Sequence, residues 1–293
     1  MARSSSVPQV PAATRAPAVD RLRWRTGLAV NISLLLVAVA FVVPMIWVVL
    51  AAFDGEAGLL VKLPNVWTLD NFSAVLTEEI TIRPFFNSLT ISVGASALVV
   101  ALSMVAAYPL SRYKLRYGNT YIYTLIFASA LPVTAIMVPV YIMFVNIGLV
   151  DSIPGVIIFR TATELPFAIW LTKSFMDAIP IELEESAWVD GASRLKGALR
   201  IIVPLMAPGM ATIFILNFME NWGNFLVPFI LLQSPDNYPM SVSLYSFFGQ
   251  YGEVAYGPLA AFGVLYTLPS LLVYFLAQRP LSQGLRMGGA VKN

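Results

Sequence analysis

The chain has 293 residues, 58% of them hydrophobic and 12% charged, with a formal net charge of +2. Soluble domains carry about 25% charged residues. This chain has too few to cover its apolar mass in water, so lipid must face part of it. With no cysteine and no histidine, disulfides, thiolate chemistry, histidine metal sites and histidine general bases are excluded.

Residues 1–25 are rich in Ser, Pro and Ala and read as a disordered tail. Arg21, Arg23 and Arg25 then stand directly before an apolar run, 26–53. A signal peptide has an apolar core of about 7–15 residues. This run is much longer and has no clean small-residue cleavage site, so it is read as a first membrane span, with Pro44 expected to kink it. A polar segment, 54–84, follows. The second span is 86–110, trailed by Arg112, Lys114 and Arg116. The third is 121–145 with Pro132 and Pro139 inside it, the fourth 154–175, the fifth 206–232 and the sixth 258–278. Residues 279–293 form a basic C-terminal tail. Each span is near the roughly 20 residues that a bilayer requires. The expected fold is all-α: a polytopic membrane protein with six transmembrane helices and a membrane domain over 26–278.

Lysine and arginine concentrate in the N-terminal tail, in 112–116, in 173–200 and in the C-terminal tail. The remaining connections hold only Lys62 and Arg83. The two groups alternate, as six spans require, which puts both termini and the 173–200 loop in the cytoplasm.

The most charged long run is 179–205, between the fourth and fifth spans. Pro180 can start a helix, and Glu182, Glu184 and Glu185 suit its positive N-terminal end. Gly191 can end it in the left-handed conformation. Ser193 can cap a second helix carrying Arg194, Lys196 and Arg200, on which Leu195, Leu199 and Ile202 form one apolar face. The run predicts two short helices around a glycine corner at a membrane surface, suited either to docking in a partner's groove or to solvation.

Glu185-Ser186-Ala187, Asp190-Gly191-Ala192, Ile202, Pro204 and Leu205 resemble the EAA loop of ABC importer permeases, with Ser186 for the first alanine and Val203 for a leucine. Thr68, Asn71 and Phe72 are similar to that family's T-x-x-N-F segment. Gln283, Gly284, Leu285, Gly288, Ala290, Val291 and Lys292 are similar to its K-G-L-x-x-G-A-V-K ending. More narrowly, the chain from residue 26 resembles the six-helix permeases of maltose-type carbohydrate importers. The resemblance implies ATP-driven, binding-protein-dependent import of a sugar or oligosaccharide across a bacterial inner membrane. It also implies a second homologous permease subunit, two ATPase subunits and an extracytoplasmic solute-binding protein. Glu182, Glu185, Ser186, Ala187, Asp190, Gly191, Ala192 and Pro204 would make the ATPase-coupling surface. Gln283, Gly284, Gly288 and Lys292 would reach the ATPases through the tail.

No G-x-x-x-x-G-K-[ST] phosphate loop occurs, so this chain is expected to be non-catalytic, without cofactor or metal, and to leave ATP to a partner. Nucleic acid is not an expected partner; membrane lipid is. Three ionisable residues fall inside spans: Arg160, Glu164 and Glu220. A central charge costs at least about 2.5–3.5 kcal/mol, so each needs a reason. Arg160 and Glu164, four apart, can pair on one face. Asn217, Glu220, Asn221 and Asn224 recur at i, i+3, i+4 and i+7 and share another. These polar groups either hold the bundle or line a solute path. Family relatives often read W-N-[ED]-F where this chain has Trp222-Gly223-Asn224-Phe225, and they are usually apolar at Arg160 and Glu164. A particular sugar is therefore not carried over. The alternatives are an ion-coupled secondary transporter using Glu164 and Glu220, an assembly subunit with no path of its own, or import of another polar solute such as a glycerol phosphodiester.

Overall fold

A computed structural model describes residues 17–60, 62–248 and 254–289. Among them there is no strand, only an isolated bridge between Asp54 and Trp67. The first helix, α1 (Pro17–Ala52), starts ahead of the expected residue 26, so part of the predicted disordered tail is helical. Over residues 30–46 its side chains are exposed all round, Leu34, Leu36 and Phe41 among them, which is what a lipid-facing helix requires.

A loop then returns the chain through α2 (Asp70–Val75) and a π-turn, Glu78–Ile82, into α3 (Arg83–Arg112). The T-x-x-N-F segment has a structural reason. Thr68 Oγ1 accepts from Asp70 N at 3.0 Å, and Asn71 Nδ2 donates to the carbonyls of Ala52 (3.2 Å) and Asp54 (2.9 Å), tying this loop to the end of α1.

The expected third span is two helices, α4 (Gly118–Ser129) and α5 (Val133–Ile147), bent by 88°. Pro132 stands at the break with an extended backbone (ψ 126°). It has no N–H to continue the ladder, and it disfavours helical geometry at Leu131. The fourth is α6 (Ile153–Asp177), whose N-cap Ser152 accepts from Gly155 N.

The short helices α7 (Glu182–Val189) and α8 (Arg194–Gly197) follow. A π-turn, Ala198–Ile202, and α9 (Val203–Leu205) lead on to α10 (Ala207–Gly223) across a 69° bend. The expected fifth span breaks again after Gly223, and α11 (Leu226–Leu231) is separate. After α12 (Met240–Ser243), α13 (Tyr256–Gly289) continues through the sixth span into the tail.

Among the described residues, three helical stretches are long and apolar enough to cross a membrane: Val30–Ala52, Glu78–Arg112 and Tyr256–Gln278. Counting α4–α5 and the α8–α10 pair as bent spans makes five. The expected helix at 154–175 is present as α6, but its two central charges set it apart from these. It lies in the middle of the bundle instead. Phe159, Arg160, Ala168, Ile169, Thr172, Phe175 and Met176 are buried on it. α3 packs closely along α6 because Ser92, Ala95, Ser96 and Ser103 on its buried face are small. The cores are local. One lies around Ala52, Phe218, Trp222 and Phe262, a second around Met137, Phe144 and Phe159, and a third around Phe175, Met176, Ile202 and Met206.

Candidate functional site: a buried charged cluster and a surface corner

Two arrangements carry chemistry that packing alone does not require. The first joins α6 to α10. Arg160 is 3% exposed. Its Nε donates to Asn221 Oδ1 at 2.8 Å, and one of its terminal nitrogens pairs with Glu164. Asn221 Nδ2 donates to Glu164 Oε2 at 2.9 Å and to the Asn217 carbonyl at 2.8 Å. Arginine, glutamate and asparagine thus form a closed ring in which each bonds the other two. A buried charge is tolerable only when so paired. The i,i+4 pairing of Arg160 with Glu164 is the one the spacing predicts.

Glu220 is the exception. Its Oε1 lies 3.5 Å from Arg160, yet its side chain is 65% exposed. It faces a cavity of about 450 Å³ lined by Ser129, Thr163, Glu164, Phe167, Asn217 and Glu220, among others. One guanidinium thus faces two carboxyl groups beside the cavity. Asn224 does not join them. α10 ends at Gly223, and Asn224 Oδ1 instead accepts from Val227 N at 3.1 Å, capping α11. The expected four-residue stripe is therefore three residues and a cap.

The second arrangement is the corner over residues 179–205. α7 closes as the sequence predicts: Gly191 has φ +86°, its N–H donates to the Trp188 carbonyl (3.1 Å), and Ala192 N–H donates to that of Ala187 (2.9 Å). That bond pair is the Schellman motif. Ser193 Oγ accepts from Lys196 N at 3.3 Å and caps α8. The guanidinium of Arg194 sits 5.5 Å from both the Trp188 and Tyr113 ring centres: the first contact joins α8 to α7, and the second, with a 3.0 Å hydrogen bond to the Tyr113 hydroxyl, ties α8 to the end of α3. Glu182, Glu185, Ser186, Asp190 and Gly191 are exposed along its outer edge, with Pro204 exposed beyond it; Ala187 and Ala192 are half-buried. Leu195, Leu199 and Ile202 line one apolar groove with Met104 and Val105 of α3, Ile202 buried and the two leucines exposed.

Glu184 is the residue whose environment the sequence pattern did not reveal. It is fully buried. Tyr108 OH donates to its Oε2 at 2.9 Å and Arg112 Nε to its Oε1. In the sequence it reads as one of three first-turn acids, and Arg112 as one of the basic residues that follow a span. The signal available was that Glu182, Glu184 and Glu185 cannot all share one face of a helix, so Glu184 must point away from the other two. In the tail, Gln283, Gly284 and Gly288 fall on the last turns of α13, and Lys292 lies outside the described residues.

With these positions fixed, comparison with known proteins becomes informative. The family described as "binding-protein-dependent transport system inner membrane component" matches residues 99–287. The chain belongs to that family. It is 30% identical to the diacetylchitobiose uptake system permease of Streptomyces coelicolor over 87% of this chain and 86% of that one. It is 27% identical to the maltodextrin transport system permease of Bacillus subtilis over 91% and 97%. A chain in the crystal structure of a bacterial ABC transporter that imports the acidic polysaccharide alginate shares the fold. Its TM-score is 0.78 at 21% identity, covering 92% of this chain and 99% of that one. The family consists of membrane components of transport systems, which agrees with the lipid-facing helices.

Proposed function

We propose that this chain is the permease subunit of an ATP-driven, binding-protein-dependent importer of a sugar or oligosaccharide. In this reading it forms half of the translocation path, and a second homologous permease supplies the rest. Six spans cross the bacterial inner membrane: α1, α3, α4–α5, α6, α10–α11 and α13. Residues 1–25 and 279–293 and the corner lie in the cytoplasm. A solute-binding protein delivers substrate to the opposite end, and two ATPase subunits dock on the corner and the Gln283–Lys292 tail.

The observation that carries the reading is the corner. It is locked on its inner side and leaves Glu182, Glu185 and Asp190 exposed in a turn between α6 and α10. A rigid acidic edge between two bundle helices suits a partner that pushes. The cluster of Arg160, Glu164, Asn217, Glu220 and Asn221 lines the path on the same two helices, so motion at the corner would reach it directly. Sugar as substrate is supported by the named relatives, which carry diacetylchitobiose and maltodextrin. An ion-coupled transporter has no use for such a corner.

The test is co-purification of the ATPase subunits alongside solute uptake. Glu185→Lys should repel a basic partner and impair both, and Glu185→Ala should do less, since it removes one exposed pair worth about 1 kcal/mol at most. Normal ATPase binding and uptake with Glu185→Lys would refute the reading. Ion-dependent flux from this chain alone would replace it with a secondary transporter.

A further inference from the structure

α3 is bonded at both ends. At the corner, Arg112 and Tyr108 both donate to Glu184, with the Arg112 side chain 4% and the Glu184 side chain 0% exposed. Beside them Ser111 Oγ bonds Asp177 Oδ1 of α6 at 2.5 Å. Midway, Thr172 Oγ1 donates to Ser103 Oγ at 3.0 Å. At the far end, Asn87 Nδ2 donates to the carbonyls of Asp236 (2.8 Å) and Tyr238 (3.1 Å), and Met240 N donates to Ser88 Oγ at 2.8 Å. Arg83 pairs with Asp236 there as well. Between these anchors runs one unbroken helix of 30 residues, about 45 Å long.

We propose that Glu184 is a positioning residue that fixes the corner to α3, so that a push on the corner travels along α3 to the 236–240 strap at the opposite end. The proposal rests on the reading of the corner as the coupling element, and it adds a third helix to the two that the chain itself connects there. Chemistry singles out Glu184. Glu182 and Glu185 lie on the same first turn and satisfy the helix end while staying in solvent. Burying a third carboxylate has no such local benefit and is tolerated only because Arg112 and Tyr108 meet it. Among the described residues, Arg112 pairs with no other carboxylate, and its Nη2 meets no hydrogen-bond partner. Geometry singles out α3. The corner joins α10 through a 69° bend, and α4–α5 is bent by 88°. A broken element can absorb a displacement that an unbroken, doubly anchored one passes on.

The experiment uses the assembled transporter with its ATPase subunits and exploits the cysteine-free chain. Spin labels at Leu102 on α3 and Val189 on α7, both exposed, report the clamp; Val189 with Leu272 on α13 reports motion of the corner. Between nucleotide-free and nucleotide-trapped states, the Leu102–Val189 distance should stay constant while Val189–Leu272 changes. In a second arm, Arg112→Met with Glu184→Met removes both charges together, which buried sites tolerate better than losing one. This variant should still bind ATPase, its Leu102–Val189 distance should become state-dependent, and solute imported per ATP should fall roughly fivefold or more, the lower range of inter-site coupling. A state-dependent Leu102–Val189 distance in the unaltered protein, or unchanged import per ATP in the double variant, overturns the clamp while leaving the corner's role standing. Loss of ATPase binding by the unaltered protein, or no change in either distance, overturns the coupling reading and the proposal with it.

Discussion

At the scale of single residues, spacing foretold some partners and missed others, and the difference is whether both partners sit on one element. Arg160 with Glu164, Gly191 in the left-handed conformation and Ser193 as a cap are local relations, readable from i,i+3 and i,i+4 offsets. Asn221 between Arg160 and Glu164, or Glu184 under Arg112, requires knowing which helices touch. Asn221 is the keystone of its ring. Asn221→Ala leaves Arg160 and Glu164 each one bond short, at a cost of about 1.5–3 kcal/mol as for other hydrogen bonds to charged groups. Thermal unfolding in detergent should drop accordingly. Glu220→Gln, at an exposed position, should leave unfolding unchanged and alter uptake, which separates a path residue from a structural one. Gly257 offers a steric test. A Cβ there would lie 2.4 Å from Asn71 Oδ1, whereas one at Gly223 would meet nothing within 4 Å. Gly257→Ala should therefore destabilise by about 1–3 kcal/mol, as overpacking does, and Gly223→Ala should not clash. Asp151, in the turn before α6, adds a pH dependence. Burial pushes its carboxyl up, but hydrogen bonds from the Ser234 hydroxyl and from the Ser234 and Gln233 backbone outweigh this and hold it well below the usual range. A lowered folded-state value means that this contribution is complete above the unfolded value of about 3.9 and is lost as pH falls toward the folded one. The stability gap between wild type and Asp151→Asn should thus be constant at neutral pH and close below about pH 4.

At the scale of elements, the long spans were legible because composition alone sets them. α3 and α6 each lie within a few residues of their expected limits. The breaks were not legible. Pro44, Pro109, Pro139 and Pro166 all sit inside continuous helices, whereas Pro132 stands in a break, at the N-cap of α5. Proline removes the same N–H each time, and the packing around it decides whether the helix continues. Likewise the run 206–232 reads as one span, yet Asn224 leaves the helix to cap the next one. The corner is the element whose shape was most fully predicted, and its glycine can be tested directly. A Cβ at Gly191 would meet nothing within 4 Å, so any cost there is conformational rather than steric. Gly191→Ala should cost about 1–2 kcal/mol for the left-handed backbone, and Gly191→Val more because its branched side chain is stiffer. Gly191→Asn should be the mildest, since asparagine visits this region most readily. The readout is ATPase co-purification: an order other than Asn, Ala, Val from mildest to worst would show that the turn is not held in this conformation in the working complex.

At the scale of the whole molecule, the distribution of charge and the pattern of bonds describe the same two ends. Arg112, Lys114, Arg116, Lys173, Arg194, Lys196 and Arg200 gather where α3 and α6 end and the corner begins. Asp54, Asp70, Glu78, Glu79, Asp151 and Asp236 gather at the other end, where Arg83 meets Asp236 and Asp151 meets Ser234. Sequence alone assigned these groups by alternation along the chain; the fold joins them physically. The positive-inside tendency supports the proposed orientation, because basic residues in short connections favour the cytoplasmic side. Single cysteines at Glu79, Asp236, Tyr117 and Val189 test it, since all four positions are exposed and the chain has no cysteine of its own. An impermeant thiol reagent applied to sealed cells should label Glu79→Cys and Asp236→Cys. Tyr117→Cys and Val189→Cys should react only after the membrane is opened. The broken helices make this more than a formality. If α4 and α5, bent by 88°, were a re-entrant pair instead of one span, the number of crossings between Tyr117 and Asp236 would change from odd to even. The two would then be labelled from the same side. Opposite labelling of Tyr117→Cys and Asp236→Cys, with Val189→Cys on the Tyr117 side, therefore supports both the orientation and the reading of α4–α5 as a single bent span.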